Sequence, residues 1–151
     1  MTTANEKISE IVQRITGHMN IQCQVTVEDA GDAPVHVNIQ APEDAKFLIG
    51  KDGQNLKALE HVVRVAWMRQ TGHARAVTVD VNDYRKSRAT QITELVQQAA
   101  HRVRNTQRSE ALPPMTSYER RIVHTELASW SDLASESVGQ DPQRRVVIKP
   151  L

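Results

Sequence analysis

The 151-residue chain is predicted to be α+β: amphipathic helices covering one face of a small sheet. Three features of the sequence predict this. Residues 20–29 and 35–39 alternate apolar and polar side chains, the period of a half-buried strand. Residues 5–16, 54–71 and 84–105 space their apolar side chains three and four apart, the period of an amphipathic helix. A glycine-framed loop, Gly50-Lys51-Asp52-Gly53, separates a short helical segment from a longer one, so two consecutive helices connect strands. The length suits one medium domain or two small ones.

Composition narrows the function. Apolar residues make up 39% and charged residues 25%, which excludes a disordered or fibrous chain. Only five residues are aromatic: Phe47, Trp67, Tyr84, Tyr118 and Trp130. A binder built mainly on aromatic stacking platforms is therefore not expected. The single cysteine, Cys23, permits no internal disulfide and reads as a small buried residue in a strand. No Cys/His spacing resembles a zinc site, and no cofactor is expected. The start MTTANEKISE carries no apolar run, and no stretch approaches a membrane span. A cytoplasmic protein without membrane insertion is expected. The net charge of +1 hides an asymmetry: residues 1–83 hold 8 Lys/Arg and 11 Asp/Glu, residues 84–151 hold 11 and 7. Arginine outnumbers lysine 13 to 6. Arginine is the better residue for planar phosphate and base contacts, so a nucleic-acid face in the second half is expected.

The elements follow in order. Ile8, Ile11, Val12 and Ile15 give the first helix its apolar face, and Gly17 closes it. Ile21, Cys23, Val25 and Val27 alternate, then Val35, Val37 and Ile39, and Pro42 ends the second strand. The two strands predict an antiparallel hairpin with a loop longer than two residues. Glu43–Ile49 predicts a short helix, and Gln54–Thr71 a longer one faced by Leu56, Leu59, Val62, Val63, Ala66 and Trp67. Val77, Val79 and Val81 predict a third strand. Residues 84–105 predict one long helix striped by Ile92, Leu95, Val96, Ala99, Ala100 and Val103. That stripe reads as intramolecular core in preference to a dimer seam. Thr116 and Glu119 form a capping box that opens a helix reaching about Ser129. Residues 133–138 and 144–149 predict two closing strands. The domain boundary is placed near Asp83 or within the long helix, and the domains are taken as 1–83 and 84–151.

The Gly-Lys-Asp-Gly loop has a chemical use. Glycines allow a tight turn and close approach of another backbone. The helix that follows presents free N–H groups and a positive dipole end, where the phosphates of a single strand can sit. Lys51 adds charge, Ile49 and Leu56 provide an apolar wall for bases, and Asp52 is a repulsive but screened neighbour. The run Phe47-Leu48-Ile49-Gly50-Lys51-Asp52-Gly53-Gln54-Asn55-Leu56 follows two strands and precedes a helix and a strand. This resembles a KH domain of the bacterial type (type II), ordered helix-strand-strand-helix-helix-strand, over residues 5–82. A KH loop clamps about four nucleotides through their backbone. The resemblance implies that Ile49, Gly50, Lys51, Asp52, Gly53, Gln54 and Leu56 bind RNA. A Walker A loop would need a Gly-Lys-Ser/Thr ending that is absent here.

The second constellation is Pro114-Met115-Thr116-Ser117-Tyr118-Glu119-Arg120-Arg121-Ile122-Val123-His124. Arg120 and His124, four apart, share a helix face, with Arg121 about 100° round. An apolar inner face and a basic outer face are expected, Arg120 forking onto a phosphate and His124 donating to one. With Ser135-Glu136-Ser137-x-Gly139 and Asp141-Pro142-x-Arg144-Arg145-Val146-Val147-Ile148, this segment resembles the small nucleic-acid-binding domain named for an arginine and a histidine with three residues between them. The likeness covers about 84–151. It implies a binding surface of Arg120, Arg121 and His124, extended by Arg144 and Arg145.

A KH domain followed by an Arg-x-x-x-His domain is similar to the bacterial Jag family, also called SpoIIIJ-associated protein. Many of its members carry a further N-terminal domain and linker, whereas this sequence starts at the KH helix. The resemblance implies a non-catalytic protein that binds single-stranded RNA with two linked modules, in post-transcriptional control related to envelope growth or division. Single-stranded DNA is the alternative ligand. A homodimer or adaptor assembled through the long helix, and a KH-domain protein partner, are the protein-binding expectations. A nuclease centre is disfavoured: Glu119 is used by the capping box, and Glu126 lies about 160° from His124 round the helix.

Overall fold

The computed structural model describes residues 3–151, and the chain divides into two compact units, Met1–Tyr84 and Arg85–Leu151. The first unit opens with α1 (Ala4–His18). Its capping box is reciprocal: the Glu6 N–H donates to Thr3 Oγ1 at 3.3 Å, and the Thr3 N–H donates to Glu6 Oε2 at 2.7 Å. Two otherwise unpaired N–H groups at the helix start are satisfied by side chains three residues apart.

Strands β1 (Gln24–Glu28) and β2 (Val35–Gln40) pair antiparallel, with Val25 opposite Ile39 and Val27 opposite Val37. The chain then runs through α2 (Ala45–Ile49), a 3₁₀ turn over Lys51–Gly53, α3 (Gln54–Thr71) and β3 (Val77–Val81). Strand β3 lies parallel to β2, so the sheet order is β1-β2-β3. A parallel pair needs a crossover, and α2 with α3 supplies it. Alternation decides which side chains go inward: Val35, Val37 and Ile39 of β2 are buried, as are Val77, Val79 and Val81 of β3. Ile8, Ile11 and Val12 of α1 and Leu56, Leu59, Val63 and Trp67 of α3 close over them to form one core.

Two polar devices complete this unit. Buried Glu60 on α3 accepts the Val79 N–H at 3.0 Å, while its ion-pair partner Arg64 donates Nε to the Val77 carbonyl at 3.1 Å. Side chains of α3 thereby satisfy backbone groups of the edge strand β3, which would otherwise invite another strand. Asn82 closes the end of the unit: its Nδ2 donates to the Ala41 carbonyl and its Oδ1 accepts the Ala41 N–H, both at 2.8 Å.

Helix α4 (Tyr84–Thr106) begins on the last residue of the first unit and forms the spine of the second. It is followed by β4 (Glu110–Ala111), α5 (Ser117–Leu127), β5 (Leu133–Val138) and β6 (Arg145–Pro150). The sheet order is β4-β6-β5, antiparallel throughout. The α4 stripe of Ile92, Val96, Ala99, Ala100 and Val103 packs on Val123 and Leu127 of α5 and Val146 and Ile148 of β6. The stripe is thus inside this unit's own core, with Leu95 packed at its margin.

Three expectations are corrected. Between the long helix and the Thr116 capping box the sequence predicts no strand, but Glu110 and Ala111 pair with Ile148 and Val147 of β6. Cys23 lies just before β1, half-buried, with its Sγ 3.5 Å from Thr16 Oγ1. Val62, expected on the inner face of α3, is 49% exposed, because that apolar stripe is wider than the sheet it covers.

Candidate nucleic-acid interface

Helix α2 stops where Gly50 adopts φ +71°, ψ −179°. Asp52 follows at φ +53° and Gly53 at φ +77°, so three of four loop residues have left-handed φ. A Cβ on Gly50 would fall 2.5 Å from Asn55 Cγ, and one on Gly53 would fall 2.9 Å from the Tyr84 ring. Glycine is required at both positions, for conformation and for space. Asn55 is itself held, with Nδ2 donating to the Phe47 carbonyl at 3.0 Å across the loop. Asp tolerates left-handed φ better than most residues, so Asp52 has a backbone reason to be there as well as a charge.

Helix α3 starts with no side-chain cap on its first N–H groups. Lys51, Asp52 and Gln54 are exposed beside that end, with Ile49, Gly50 and Gly53 half-buried. The expected apolar wall of Ile49 and Leu56 is corrected: Leu56 is 3% exposed and belongs to the core, so it supports the loop from beneath. The exposed apolar surface lies elsewhere in the unit. A shallow concavity of about 220 Å³ is lined by Ile15 of α1, Met19 just past its end, Phe47 of α2, and Ala58 and Val62 of α3. Phe47 is 53% exposed there. Its neighbour Lys46 holds Nζ 5.1 Å from the ring centroid.

In the second unit the capping box fixes where α5 begins. The Glu119 N–H donates to Thr116 Oγ1 at 3.2 Å, and the Thr116 N–H donates to Glu119 Oε2 at 2.9 Å. The other Glu119 oxygen accepts Arg88 Nε at 2.7 Å, which ties α5 to α4. That register turns Arg120, Arg121 and His124 toward an open cavity of about 570 Å³. Ser137 of β5 and Arg144, one residue before β6, complete its wall.

Arg120 is not on an exposed outer face as the helix spacing suggested. It is 7% exposed, with Nη1 donating to the Met115 carbonyl at 2.8 Å and 3.5 Å from Asp141 Oδ1. The buried Nε of Arg144 has no hydrogen-bond partner among the described residues. Arg121 is exposed at the rim. Arg145 turns its Nε to the Gln143 carbonyl at 3.3 Å and does not line the cavity. His124 differs most from expectation, because both ring nitrogens are engaged: Nδ1 lies 2.7 Å from Ser135 Oγ and Nε2 2.9 Å from Ser137 Oγ. The expected direct donation from His124 to a phosphate would break one of these bonds.

Several acidic side chains elsewhere in the unit are paired with their own cations. Glu110 meets Arg102, Asp132 meets Arg104 at 2.6 Å, and Glu136 meets Lys149. The Arg104 hydrogen bond holds the Asp132 carboxyl below the usual carboxylate range, and the Lys149 hydrogen bond does the same for Glu136. Three guanidinium groups therefore surround the cavity, and the Asp141 carboxylate that reaches Arg120 is itself largely exposed. Arginine suits planar, bidentate recognition of phosphate. Among the described residues no group of three or more His, Cys, Asp or Glu is placed to hold a metal ion. Nor is any helix there long and apolar enough to cross a membrane.

The sequence pattern marked both constellations but missed the roles of Ser135 and Ser137. The signal was present: two serines at i and i+2 on a strand share one face.

Comparison with known proteins places these sites in context. The model of the domain named for its arginine and histidine, the R-3-H domain, matches residues 90–150. The chain is similar to the RNA-binding protein KhpB of Clostridium symbiosum, 31% identical over 147 residues, covering 97% of this chain and 66% of that protein. It is 38% identical over 108 residues to the RNA-binding protein KhpB of Bacillus subtilis (strain 168), covering 70% and 52%. The protein of the same name from Lactiplantibacillus plantarum is 31% identical over 147 residues, covering 97% and 45%. The chain thus spans about half to two thirds of the length of these relatives.

Proposed function

The chain is a homologue of the KhpB proteins and carries an Arg-x-x-x-His domain, a nucleic-acid-binding module, over residues 90–150, and from that premise we propose that it binds single-stranded RNA through two tethered modules without catalysing a reaction. The observation that carries the proposal is the α5 cavity, where Arg120, Arg121 and Arg144 converge with His124 and Ser137. A single strand has phosphates at regular intervals and bases that can splay outward. Buried Arg120 is already oriented by the Met115 carbonyl, so little side-chain entropy is lost when it meets a phosphate.

The first unit is the second module, a KH domain of the bacterial type. The antiparallel β1-β2 hairpin, the parallel β2-β3 pair and the glycine loop between α2 and α3 support that assignment. Its Gly50–Gly53 loop and the uncapped start of α3 take the backbone of about four nucleotides, with Lys51 supplying charge. The domains are taken as 1–83 and 84–151. The function served is post-transcriptional control related to envelope growth or division, in the cytoplasm.

Fluorescence anisotropy with short single-stranded RNA and the matching DNA, over a salt series, tests this reading. RNA binding that weakens with salt, and weakens further in Lys51→Asp and in Arg121→Ala, is the expected result. Equal affinity for DNA would make the protein a general single-strand binder. Absence of binding at low salt would overturn the proposal and favour a protein-interaction adaptor.

A further inference from the structure

We infer that Ser137, not His124, is the group that meets an anion in the α5 cavity, with His124 and Ser135 acting behind it to keep the Ser137 hydroxyl proton turned outward. The inference deepens the proposed function and rests on reading that cavity as an anion site.

The geometry comes from strand periodicity. Ser135 and Ser137 lie two apart on β5 and so project from the same face. The imidazole of His124, reaching from α5, bonds both: Nδ1 to Ser135 at 2.7 Å and Nε2 to Ser137 at 2.9 Å. Ser137 and His124 both line the cavity, whereas Ser135 does not. Both ring nitrogens of His124 are already bonded, so the Ser137 hydroxyl is the group there that can still turn a donor to an anion entering the cavity.

Counting protons decides what that hydroxyl can do. A neutral imidazole carries one N–H. If the proton sits on Nδ1, Nε2 accepts from Ser137, whose only hydroxyl proton is then spent on the ring. Ser137 would offer an anion nothing but lone pairs, which is repulsive. If the proton sits on Nε2, the ring donates to Ser137 Oγ, and the Ser137 hydroxyl proton is available to an anionic oxygen. Nδ1 must then accept from the Ser135 hydroxyl. An imidazolium donates from both nitrogens and leaves Ser137 in the same useful state. An anion thus selects the Nε2-protonated ring, and Ser135 supports that tautomer by donating to Nδ1. Ser137 is the contact residue; His124 and Ser135 are positioning residues.

The surrounding charges favour the same arrangement. Arg120 and Arg121 on α5 and Arg144 before β6 face the cavity, and Asp141 lies 3.5 Å from Arg120. The buried Nε of Arg144, unpartnered among the described residues, is a donor still lacking an acceptor. A Ser137 donor joins these groups around one tetrahedral oxyanion, where hydrogen bonds are charge-assisted.

Two measurements on the full chain test this. The first reads the His124 ring nitrogens by long-range ¹H–¹⁵N NMR while inorganic phosphate is added. The expected result is an Nε2-protonated or doubly protonated ring in the phosphate-bound protein. A ring protonated only on Nδ1 with phosphate bound, or no response of His124 to phosphate, overturns the inference, and neither reading needs a variant to fold. The second measures RNA affinity by anisotropy. Ser137→Ala is expected to weaken binding about tenfold and Ser137→Thr to restore it. Ser135→Ala is expected to weaken binding by less, about threefold, and to mix the His124 tautomers, with Ser135→Thr restoring both. Wild-type RNA affinity in Ser137→Ala overturns the inference and leaves the RNA reading standing. A phosphate response that depends on Ser137, in a protein that binds no RNA, overturns the RNA reading and leaves the inference standing.

Discussion

Single residues in the loop between α2 and α3 are constrained more by space and backbone than by charge. Gly50 and Gly53 hold φ +71° and +77°, and a Cβ at either would strike the Asn55 or Tyr84 side chain. Gly17, inside α1, has nothing within 4 Å of its Cβ position. The same substitution should therefore have opposite signs. Gly50→Ala and Gly53→Ala are expected to lower stability by about 1–3 kcal/mol each. Gly17→Ala is expected to raise it by up to about 1 kcal/mol, because alanine is the better helix former. Urea unfolding of the three variants checks this, and equal effects would mean the loop yields without cost. The identity of these residues was legible in the sequence because glycine spacing is a local signal. The inward turn of Leu56 was legible too, from its place in the α3 apolar stripe, but helical period alone cannot say how much of such a stripe the sheet will cover. The same ambiguity hid the exposure of Val62 and the burial of Arg120, which is set by the distant Met115 carbonyl and Asp141.

At the scale of elements, side chains that do two jobs should cost most when removed. Thr116 only caps α5, whereas buried Glu119 caps it and also accepts Arg88 from α4. Thr116→Ala is expected to cost about 1 kcal/mol. Glu119→Ala is expected to cost about 2–3 kcal/mol, since a bond to a charged partner in a buried site goes with the cap. Chemical unfolding midpoints compare the two directly, and equal losses would show that the Arg88 bond adds nothing. The pair between Arg104 on α4 and Asp132, before β5, predicts a pH dependence. The Arg104 hydrogen bond lowers the Asp132 carboxyl in the folded protein, so its contribution to stability is present above the ordinary carboxylate value of about 4. It is lost as pH falls through the depressed folded value. Thermal unfolding of wild type and Asp132→Asn should differ at neutral pH and converge under acid conditions; a difference that persists there would place the effect elsewhere. The pair is exposed, so the effect is small. The capping box was legible because it is written within four residues. The strand β4 was not, because two residues are too few to alternate. The parallel pairing of β2 with β3 and the bonding of His124 to β5 were not, because each joins segments that local periodicity treats separately.

For the whole molecule, the division of charge makes the two units unequal partners for a polyanion. Residues 1–83 hold 8 cations against 11 anions, and residues 84–151 hold 11 against 7. Each phosphate neutralised on a single strand contributes about 0.7 to the slope of log affinity against log salt. If the second unit carries most of that slope, Arg121→Ala should flatten it by about 0.7. A Gly50–Gly53 loop that works chiefly through backbone N–H groups releases fewer counterions. Lys51→Asp should then lower affinity with a smaller change in slope than its charge reversal alone would suggest. Strand length separates two modules from one. Under the proposed two-module reading, an RNA of about four nucleotides fills the Gly50–Gly53 loop alone, whereas a longer strand lets the second unit bind at a raised effective concentration. Affinity is therefore expected to rise steeply once the strand outgrows one site. The Lys51→Asp and Arg121→Ala losses should multiply on the long strand, while on the short strand neither variant should amplify the other. Affinity that stays flat with length would mean that one unit binds and the other only carries it. The salt slope then identifies the binder: a slope flattened by about 0.7 in Arg121→Ala assigns it to the arginine cavity, and a slope that Arg121→Ala leaves unchanged assigns it to the glycine loop.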